Sequence, residues 1–261
     1  MILDAHTHLA HFAADGRSPN PGEMDRFLHI MDTCGVERSL LLGPVISFSY
    51  TPTADEICRA NDQTIGAVEQ HPDRFTGLCY VNPLLDEETV LDELNRCVAT
   101  GPLVGVKLWV AATADDPRLD PLMRRAAELD VLVLQHAWYK GTTSWHAGAS
   151  TPGQVAELAR RHPAVRILMA HLTGGGMRGI RDVADYPNIS IDTSGAQPVA
   201  GLIEAAVRVL GAERVVFGSD WPVRDVATQL GKFDELPLDR AALDAMLSQN
   251  LRRLLGRYDP C

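Results

Sequence analysis

Eight short runs of apolar and β-branched residues recur along the chain, and this recurrence restricts the possible folds more than any other feature. Successive runs begin roughly 30 residues apart, which is the size of one strand–helix unit. We predict that these runs are strands, over residues 2–8, 38–43, 75–82, 104–110, 131–136, 165–171, 188–194 and 214–220. Eight strand–helix alternations in 261 residues predict an α/β fold, a (β/α)8 TIM barrel, formed as a single domain over residues 1–261. An open, doubly wound parallel sheet is the alternative arrangement.

Helix signals lie between the predicted strands. Residues 24–31 carry apolar side chains at the i, i+3, i+4 and i+7 positions of an amphipathic helix. Thr53 and Glu56 have the spacing of a capping box, and Thr151 stands before Pro152, a residue that favours the first helical position. These signals place helices after the first, second and fifth strands, as a barrel requires.

Charge and composition exclude several classes of protein. The chain has 24 Lys and Arg residues against 34 Asp and Glu residues, and this net charge of -10 gives no basic surface for nucleic acid. No apolar run in the sequence reaches the roughly 18 residues that a membrane-spanning helix needs. Five cysteines without a C-x-x-C pair argue against a zinc knuckle and a disulfide framework. Because the first predicted strand begins at residue 2, a secretory leader has no room. We therefore expect a cytoplasmic protein whose partner is a small-molecule substrate, with a homo-oligomer left open.

Polar and ionisable side chains stand at the carboxyl ends of five predicted strands, which is where barrels of this type carry their catalytic groups. Alternation along a strand directs two residues at positions i and i+2 to the same face. Lys107 faces away from Val106 and Leu108, whose phase suits packing against helices. We therefore expect six side chains to converge at one end of the barrel: His6, His8, Lys107, His136, His171 and Asp220.

Such a convergence predicts metal chemistry. Two histidines at positions i and i+2 of a strand can bind one metal ion together. A third histidine and an aspartate from distant strands complete a nitrogen and oxygen ligand set suited to zinc, manganese, iron or cobalt. A metal of this kind lowers the pKa of a bound water toward about 7, and Asp220 can accept the proton and later return it.

The segments DAHTH, GVKL and FGSDWP, with QH and AH between them, resemble the amidohydrolase superfamily, and most closely its amidohydrolase-related (amidohydrolase 2) branch. The resemblance extends over residues 2–256 and implies a barrel with a divalent metal, zinc in preference to manganese. It also implies that His171 polarises the substrate or orients the water, beside Asp220 as the catalytic proton shuttle. The metal ligands that the resemblance implies are His6, His8, His136 and Asp220.

Lys107 has two interpretations. In binuclear members of this superfamily the corresponding lysine is carboxylated and bridges two metals, so that Lys107 and His171 would bind a second metal here. Otherwise Lys107 stays an ammonium that holds a substrate carboxylate beside a single metal. We favour the second interpretation because the branch that the chain resembles is mostly mononuclear.

Substrate contacts are expected from the loops that follow the strands. Several cations near the mouth of an acidic protein indicate a carboxylated substrate. Lys140 and Trp145 belong to a long loop after the fifth strand, and the glycine run 174–176 is expected to open a helix and to favour an anion. Asp192 shares the inward face of its strand, and it either supports a metal-ligating histidine or is structural. The predicted substrate-binding residues are Lys107, Trp138, Arg178 and Arg224.

The amidohydrolase-related branch contains lactone hydrolases and metal-dependent non-oxidative decarboxylases, and both activities suit the predicted site. Our first hypothesis is a metal-dependent hydrolase of a small lactone, ester or amide, in which metal-activated water attacks and Asp220 shuttles the proton. The alternative is a metal-dependent non-oxidative decarboxylase of a small carboxylated substrate, which releases carbon dioxide without consuming water. A barrel that binds a ligand without chemistry is the third hypothesis, and the complete ligand set disfavours it.

Overall fold

Parallel strands, each hydrogen-bonded to the next along the chain, form the framework of the structure. The computed structural model describes residues 1–44, 49–139, 146–195, 198–234 and 236–259. The strands in this part of the chain are β1 (Ile2–Thr7), β2 (Val36–Leu41), β3 (Phe75–Gly77), β4 (Cys79–Tyr80), β5 (Gly105–Leu108), β6 (Leu132–Gln135), β7 (Ile167–Met169), β8 (Ile189–Asp192) and β9 (Val215–Val216). Each of the eight predicted runs overlaps at least one of these strands, and seven contain theirs completely; β2 begins two residues before its predicted run.

The third predicted strand consists of two short strands, β3 and β4, on either side of Leu78. β3 pairs with β2, and β4 pairs with β5. The Leu78 N–H donates to the Leu41 carbonyl at 2.8 Å, and the Gly77 carbonyl accepts from the Val104 N–H at 2.9 Å. These bonds continue the sheet from β2 to β5, so β3 and β4 together occupy one strand position of the barrel.

Backbone hydrogen bonds between the two ends of the sheet close it into a barrel. The His8 N–H donates to the Trp221 carbonyl at 2.7 Å, and the Asp220 N–H donates to the His6 carbonyl at 2.7 Å. Closure satisfies strand edges that an open sheet would leave unpaired. The structure is therefore a (β/α)8 barrel, as predicted, and the open doubly wound alternative is excluded.

Helices connect the strands. Within the described residues they are α1 (Pro21–Cys34), α2 (Ala54–Gln70), α3 (Glu87–Leu94), α4 (Asp120–Leu129), α5 (Pro152–Arg161), α6 (Leu172–Asp182), α7 (Leu202–Leu210), α8 (Val226–Leu230), α9 (Arg240–Asp244) and α10 (Asn250–Leu255). One π-helical turn, Asn95–Ala99, continues α3, and a second, Ala245–Gln249, joins α9 to α10. None of the helices in the described ranges has both the length and the apolar character needed to cross a membrane.

Side-chain caps fix where two of the helices begin. The Thr53 hydroxyl accepts from the Glu56 N–H, and the Glu56 carboxylate accepts from the Thr53 N–H, immediately before α2. Thr151 and Gln154 form the same reciprocal arrangement at the start of α5. A cap of this kind satisfies otherwise unpaired N–H groups and contributes about 1 kcal/mol. The predicted starts of α2 and α5 are confirmed.

Phe27 of α1 connects the helical layer to the segment that carries Asp220. Its ring stacks on Phe75 of β3 and on Trp221, with centroid separations of 5.6 Å in both cases. Phe27 is fully buried, and aromatic pairs contribute about 0.5–1.5 kcal/mol beyond the area they bury. Because Trp221 directly follows Asp220, this packing fixes the backbone that positions the aspartate.

Candidate metal centre

A cavity of about 260 Å³ lies where the polar ends of the strands meet. Its lining includes all six side chains that were expected to converge. The lining residues are His6, His8, Lys107, Trp109, His136, Trp138, His171, Asp220, Val223 and Arg224. The fold thus brings the six groups together, while their chemical roles remain predictions.

His6, His8 and Asp220 form one group of potential metal ligands in this cavity. The Nε2 atoms of His6 and His8 lie 3.5 and 3.6 Å from the same oxygen, Oδ1 of Asp220. All three residues are buried, and their ligand atoms lie within 4.8 Å of one another. Imidazole nitrogens and carboxylate oxygens are common ligands of divalent metals, so this geometry fits a metal ion.

The Nδ1 atoms of His6 and His8 are hydrogen-bonded, and this fixes the tautomer of each ring. His6 Nδ1 donates to Oδ2 of Asp192 at 2.7 Å, and His8 Nδ1 donates to the Gly43 carbonyl at 2.8 Å. Each ring therefore carries its lone pair on Nε2, the nitrogen that faces Asp220. A histidine that binds a metal is typically oriented in this way by an acceptor behind it.

A chain of hydrogen bonds fixes His171 and His136 in the same manner. The Ser194 hydroxyl donates to Asp192, whose carboxylate can only accept. Ser194 Oγ must then accept from His171 Nδ1, at 2.8 Å, and His171 Nε2 accepts from His136 Nδ1, at 3.1 Å. The lone pair of His136 is left on Nε2, so the geometry is compatible with His136 as a third nitrogen ligand.

The protonation states of the site suit metal binding. Burial lowers the pKa of His8 to about 4 and the pKa of His171 to about 3. Burial, together with the neighbouring positive charges, holds the pKa of His136 well below its ordinary value. Burial alone would raise the pKa values of Asp192 and Asp220, but the surrounding histidines bring both below the usual range. Neutral imidazoles and ionised carboxylates are the forms that bind a metal.

His171 and Asp220 have left-handed backbone conformations, with φ angles of 70° and 67°. For residues other than glycine this conformation costs about 1–3 kcal/mol and persists only where surrounding contacts determine it. The His171 N–H donates to Asp192 Oδ1 at 3.0 Å, and the Asp220 N–H donates to the His6 carbonyl at 2.7 Å. These two hydrogen bonds hold His171 and Asp220 in the left-handed conformation at the ends of their strands.

A second group of potential ligands consists of His6, His171 and Asp192, also within 4.8 Å of one another. Its atoms are already hydrogen-bonded, because Asp192 accepts from both His6 and Ser194. A second metal at this position would have to break those bonds. These bonds argue against a second metal at this position.

Lys107 is only 1% exposed, on β5. Burial lowers its pKa to about 8, although the negative charges of Asp192 and Asp220 oppose the shift. The ammonium form is the one that attracts a carboxylate, and it does not react with carbon dioxide. This state also agrees better with the one-metal interpretation than with a carboxylated, bridging lysine.

The predicted substrate-binding residues outside the strands are placed differently from one another. Trp138 and Arg224 line the cavity. Arg178 is exposed on α6, where its guanidinium lies 4.3 Å from the centre of the Tyr139 ring. Within the described ranges, Arg178 is not part of the cavity lining. The helical register that turns it toward Tyr139 is not visible in the sequence.

Further substrate or anion contacts were expected from the loops after the fifth and sixth strand positions. Lys140 and Trp145 lie outside the described residues. The glycine run 174–176 begins at the third residue of α6, and the helix is interrupted at Gly176, whose φ of 53° and ψ of -159° are not helical, before it continues from Met177. The N–H groups of its first two glycines donate to the His171 carbonyl at 2.9 and 3.2 Å. Those two donors are thus engaged within the helix, which argues against the expected anion site.

Four residues of the site were not predicted as functional. Trp109 lies two positions after Lys107, and strand alternation could have identified it. Val223 lies in a loop without a periodic pattern. Ser194 acts through a hydroxyl beyond the end of β8, and Gly43 acts through its backbone carbonyl, which no side-chain pattern reveals.

Comparison with known proteins bears on the type of reaction. The gamma-resorcylate decarboxylase of Polaromonas sp. is 26% identical, over 88% of this chain and 87% of its own length. The structure of a dihydroxybenzoic acid decarboxylase from Polaromonas sp., with bound manganese and the inhibitor 2-nitroresorcinol, has a TM-score of 0.76 at 19% identity, and the match covers 100% of this chain and 99% of that one. The L-fucono-1,5-lactonase of Burkholderia ambifaria is 26% identical, but over 48% of this chain and 45% of its own length.

The hypothesis of a lactone, ester or amide hydrolase is wrong, because the relatives that match most of the chain are decarboxylases. The error has a physical origin. Hydrolysis and metal-dependent decarboxylation both need a cation, histidine ligands and a carboxylate that moves a proton, so the strand-end residues do not separate them.

The model of the amidohydrolase family matches residues 3–257, which is nearly the whole chain. The match includes every strand position of the barrel and all the cavity-lining residues. It confirms the resemblance that the motifs indicated, and with it the expectation of an enzyme. The chain belongs to the amidohydrolase family.

Proposed function

We propose that this protein is a metal-dependent non-oxidative decarboxylase of a small carboxylated aromatic compound. The observation that carries this proposal is the composition of the cavity, in which potential metal ligands share the lining with two cations and two indole rings. Cations bind carboxylates, and indole faces bind aromatic rings. The likeness to gamma-resorcylate and dihydroxybenzoic acid decarboxylases supports the same type of reaction.

The residues present fit a divalent metal. His6, His8 and His136 each have a lone pair on Nε2, and Asp220 is an ionised carboxylate. These four residues would hold the metal, which supplies positive charge to hold and polarise the acidic group of the substrate. Manganese is our first choice, because it accepts carboxylate ligands readily and a related decarboxylase structure contains it. Zinc is the alternative.

The side chains of the cavity bind and orient the substrate. Trp109 and Trp138 present aromatic surface to the ring, and Val223 adds apolar contact. Lys107 and Arg224 bind acidic groups on the ring through charge-assisted hydrogen bonds. These contacts hold the ring in place and exclude water from the carbon that bears the departing carboxylate.

Asp220 is the residue that we assign to proton transfer. It lies in the cavity wall and is 7% exposed. In the proposed step Asp220, which is ionised before the reaction, takes up a proton from solvent and passes it to the ring carbon that bears the carboxylate, where a C–H bond forms. The C–C bond then breaks, its electron pair returns to the ring, and carbon dioxide leaves. Asp220 is ionised again at the end, so the reaction consumes one proton from solvent and no water.

Release of carbon dioxide from 2,6-dihydroxybenzoate, the compound named for related decarboxylase structures, tests the proposal. With the manganese-loaded protein we expect one carbon dioxide for each molecule of phenolic product. In deuterated water we expect one deuterium at the vacated ring carbon. Absence of carbon dioxide from a panel of hydroxybenzoates and 5-carboxyvanillate, despite bound manganese, would refute the proposed reaction.

The Asp220→Asn variant tests the proton role. It should release carbon dioxide about 10²-fold more slowly or worse, the usual scale for loss of a proton-transferring group. The rate is measured at saturating manganese, with the metal content determined alongside. Asp225→Asn is the control, because the exposed Asp225 caps α8 by accepting from the Thr228 N–H, and asparagine caps equally well. Near-normal turnover by Asp220→Asn would remove its proposed role.

A further inference from the structure

A tyrosine from another loop contacts the indole of Trp109, which is part of the cavity wall. Trp109 directly follows β5, and its ring centroid lies 5.2 Å from that of Tyr50, with 42° between the ring planes. Tyr50 lies between β2 and α2, so it reaches Trp109 from the loop after the second strand position. Tyr50 is not among the described residues that line the cavity. Its contact with the site is therefore made through Trp109.

The backbone that follows Tyr50 is anchored to the barrel. The buried Asn82 side chain donates from Nδ2 to the Pro52 carbonyl at 2.8 Å. Pro52 is itself buried, and the capping box of Thr53 and Glu56 begins α2 immediately afterwards. The Tyr50 ring is thus presented to Trp109 from a segment whose position is fixed.

A third loop meets the same tyrosine. The His146 ring lies 3.2 Å from that of Tyr50, measured between centroids, and His146 belongs to the loop between β6 and α5. Gly148 of that loop packs directly on the backbone that follows Trp109, because a Cβ at Gly148 would overlap the carbonyl oxygens of the two residues after it. The rings of Tyr50, Trp109 and His146 therefore link the loops after the second, fourth and fifth strand positions.

The two indoles of the cavity are supported in different ways. The Trp138 ring lies edge-on to that of His171, with centroids 5.4 Å apart, so a residue of the site itself supports it. Trp109 is half-buried and packs against a small apolar cluster that contains Tyr80. The Tyr50 ring adds a further contact from outside the lining. A side chain that is already fixed when a ligand arrives spares that ligand the entropy cost of ordering it.

We propose that Tyr50 is a positioning residue, whose ring holds the Trp109 indole in the orientation that receives the aromatic ring of the substrate. This inference rests on the proposed function, because it takes the ligand of the Trp109 face to be aromatic. Since Tyr50 acts through Trp109, it affects the binding of the ring and not the step that breaks the C–C bond. The contact energy of one aromatic pair corresponds to about a 2–10-fold change in a binding constant.

Binding of benzoate, measured by calorimetry with the metal-free and the manganese-loaded protein, tests the inference without turnover. Tyr50→Ala should raise the Kd of benzoate about 2–10-fold, and Tyr50→Phe, which keeps the ring, should bind benzoate as the wild type does. Because the Tyr50 side chain is 45% exposed, these replacements should leave the barrel folded. Tyr186→Ala is the control, because Tyr186 is a half-buried tyrosine just before β8, at the opposite end of the barrel, and should not alter the Kd.

A double-mutant cycle shows whether Tyr50 acts through Trp109. Trp109→Ala removes the indole and should itself weaken the binding of benzoate. In that background Tyr50→Ala should raise the Kd no further, because the group that Tyr50 positions is gone. An equal additional loss in both backgrounds, a wild-type Kd in Tyr50→Ala, or a wild-type protein that binds no benzoate would overturn the inference.

Tryptophan emission gives a readout that needs no ligand. Tyr50→Ala should change the emission spectrum of the free protein, because the surroundings of the Trp109 indole change. When Trp109 is replaced by phenylalanine, the same Tyr50 replacement should leave the spectrum unchanged. A spectral change that persists in Trp109→Phe would assign the effect to another tryptophan and would contradict the positioning role.

The outcome is separable from that of the proposed function. Where 2,6-dihydroxybenzoate is turned over, Tyr50→Ala should raise KM about 2–10-fold and leave kcat nearly unchanged. Carbon dioxide release with an unchanged KM in Tyr50→Ala would leave the decarboxylase proposal intact and refute the positioning role. A rise in the Kd of benzoate that depends on Trp109, without carbon dioxide release from any aromatic acid, would support the positioning role and refute the reaction.

Discussion

Asp192 Oδ2 accepts a hydrogen bond from His6 Nδ1 over 2.7 Å, and both side chains are almost completely buried. The aspartate comes from β8, the seventh strand position, and the histidine from β1. Because Asp192 also accepts from Ser194, it orients His6 directly and His171 through the serine hydroxyl. One buried carboxylate thus determines which nitrogen of several rings is available to a metal.

Replacing Asp192 with asparagine should weaken metal binding while the barrel still folds. The amide can fill the same volume, but it lacks the negative charge that stabilises the His6 tautomer. We expect a 10–100-fold loss of manganese affinity, roughly the scale for partners behind metal-ligating histidines. Competition with a chelator measures the affinity. Ser190→Ala, at another buried position of β8, is the control and should bind manganese normally.

Removal of His8 should abolish metal binding. His8→Ala deletes one of two imidazoles that face Asp220 Oδ1, and the Gly43 carbonyl loses its donor. Metal analysis after dialysis should find little manganese in this variant, and circular dichroism should still show the barrel. His162→Ala is a matched control, because His162 pairs with Asp120 at the end of α5, away from the cavity lining. Full occupancy in His8→Ala would contradict the ligand assignment.

Much of the site can be predicted from the sequence because it obeys strand alternation. His6 and His8 are two residues apart along one predicted strand, and Lys107 has the opposite phase to its apolar neighbours. Two features cannot be predicted from such patterns. The first is the left-handed backbone conformation of His171 and Asp220, which arises from tertiary hydrogen bonds.

The second feature that the sequence does not reveal is the set of hydrogen-bond partners that orient the histidines. His8 is oriented by a backbone carbonyl, that of Gly43. Ser194 lies beyond the end of its strand, and serine is common in such turns, so its residue type carries little information. Arg178 is the opposite case, because its charge suggested a substrate contact and the helical register places its guanidinium over Tyr139.

The metal-free protein should lose stability as the pH falls from about 6.5 toward 4. The pKa of His8 in the folded protein is about 4 and that of His171 about 3, both lowered by burial from an ordinary value of 6.5. Between these values the unfolded chain binds more protons than the folded one, so acid favours unfolding. Each group contributes at most about 1.4 kcal/mol per pH unit in this window. Thermal unfolding of chelator-treated protein at pH 7 and pH 5 measures the difference.

The variant His171→Asn separates the destabilising effect of histidine protonation from the opposite effect of Asp4. Burial raises the pKa of Asp4 to about 7, so the folded form holds its proton longer and acid acts in the opposite direction at this residue. His171→Asn removes one of the two depressed histidines and leaves Asp4 in place. The loss of Tm between pH 7 and pH 5 should therefore be smaller in His171→Asn than in the wild type. An equal loss would show that His171 does not titrate in this way.

Gly174 leaves no space for a side chain beside Trp138. A Cβ at Gly174 would lie 2.4 Å from both Cδ2 and Cε3 of the indole. The Trp138 backbone is fixed, because its N–H donates to the Ser150 carbonyl at 2.9 Å. The indole itself must therefore move when a methyl group is added, and this indole is part of the cavity wall.

Gly174→Ala should displace the indole and weaken substrate binding. We expect a loss of about 1–3 kcal/mol in the free energy of unfolding from the steric conflict, although alanine is a better helix former than glycine. We also expect a several-fold rise in the Kd of an aromatic acid, together with a changed tryptophan emission spectrum. Gly153→Ala is the control, because the nearest atom to its added Cβ is the Tyr139 hydroxyl at 3.7 Å, an ordinary contact. This control lies in the first turn of α5 and should be as stable as the wild type or slightly more so. If Gly174→Ala and Gly153→Ala bind the acid equally well, the position of Trp138 does not limit binding, and its assignment to the substrate site fails.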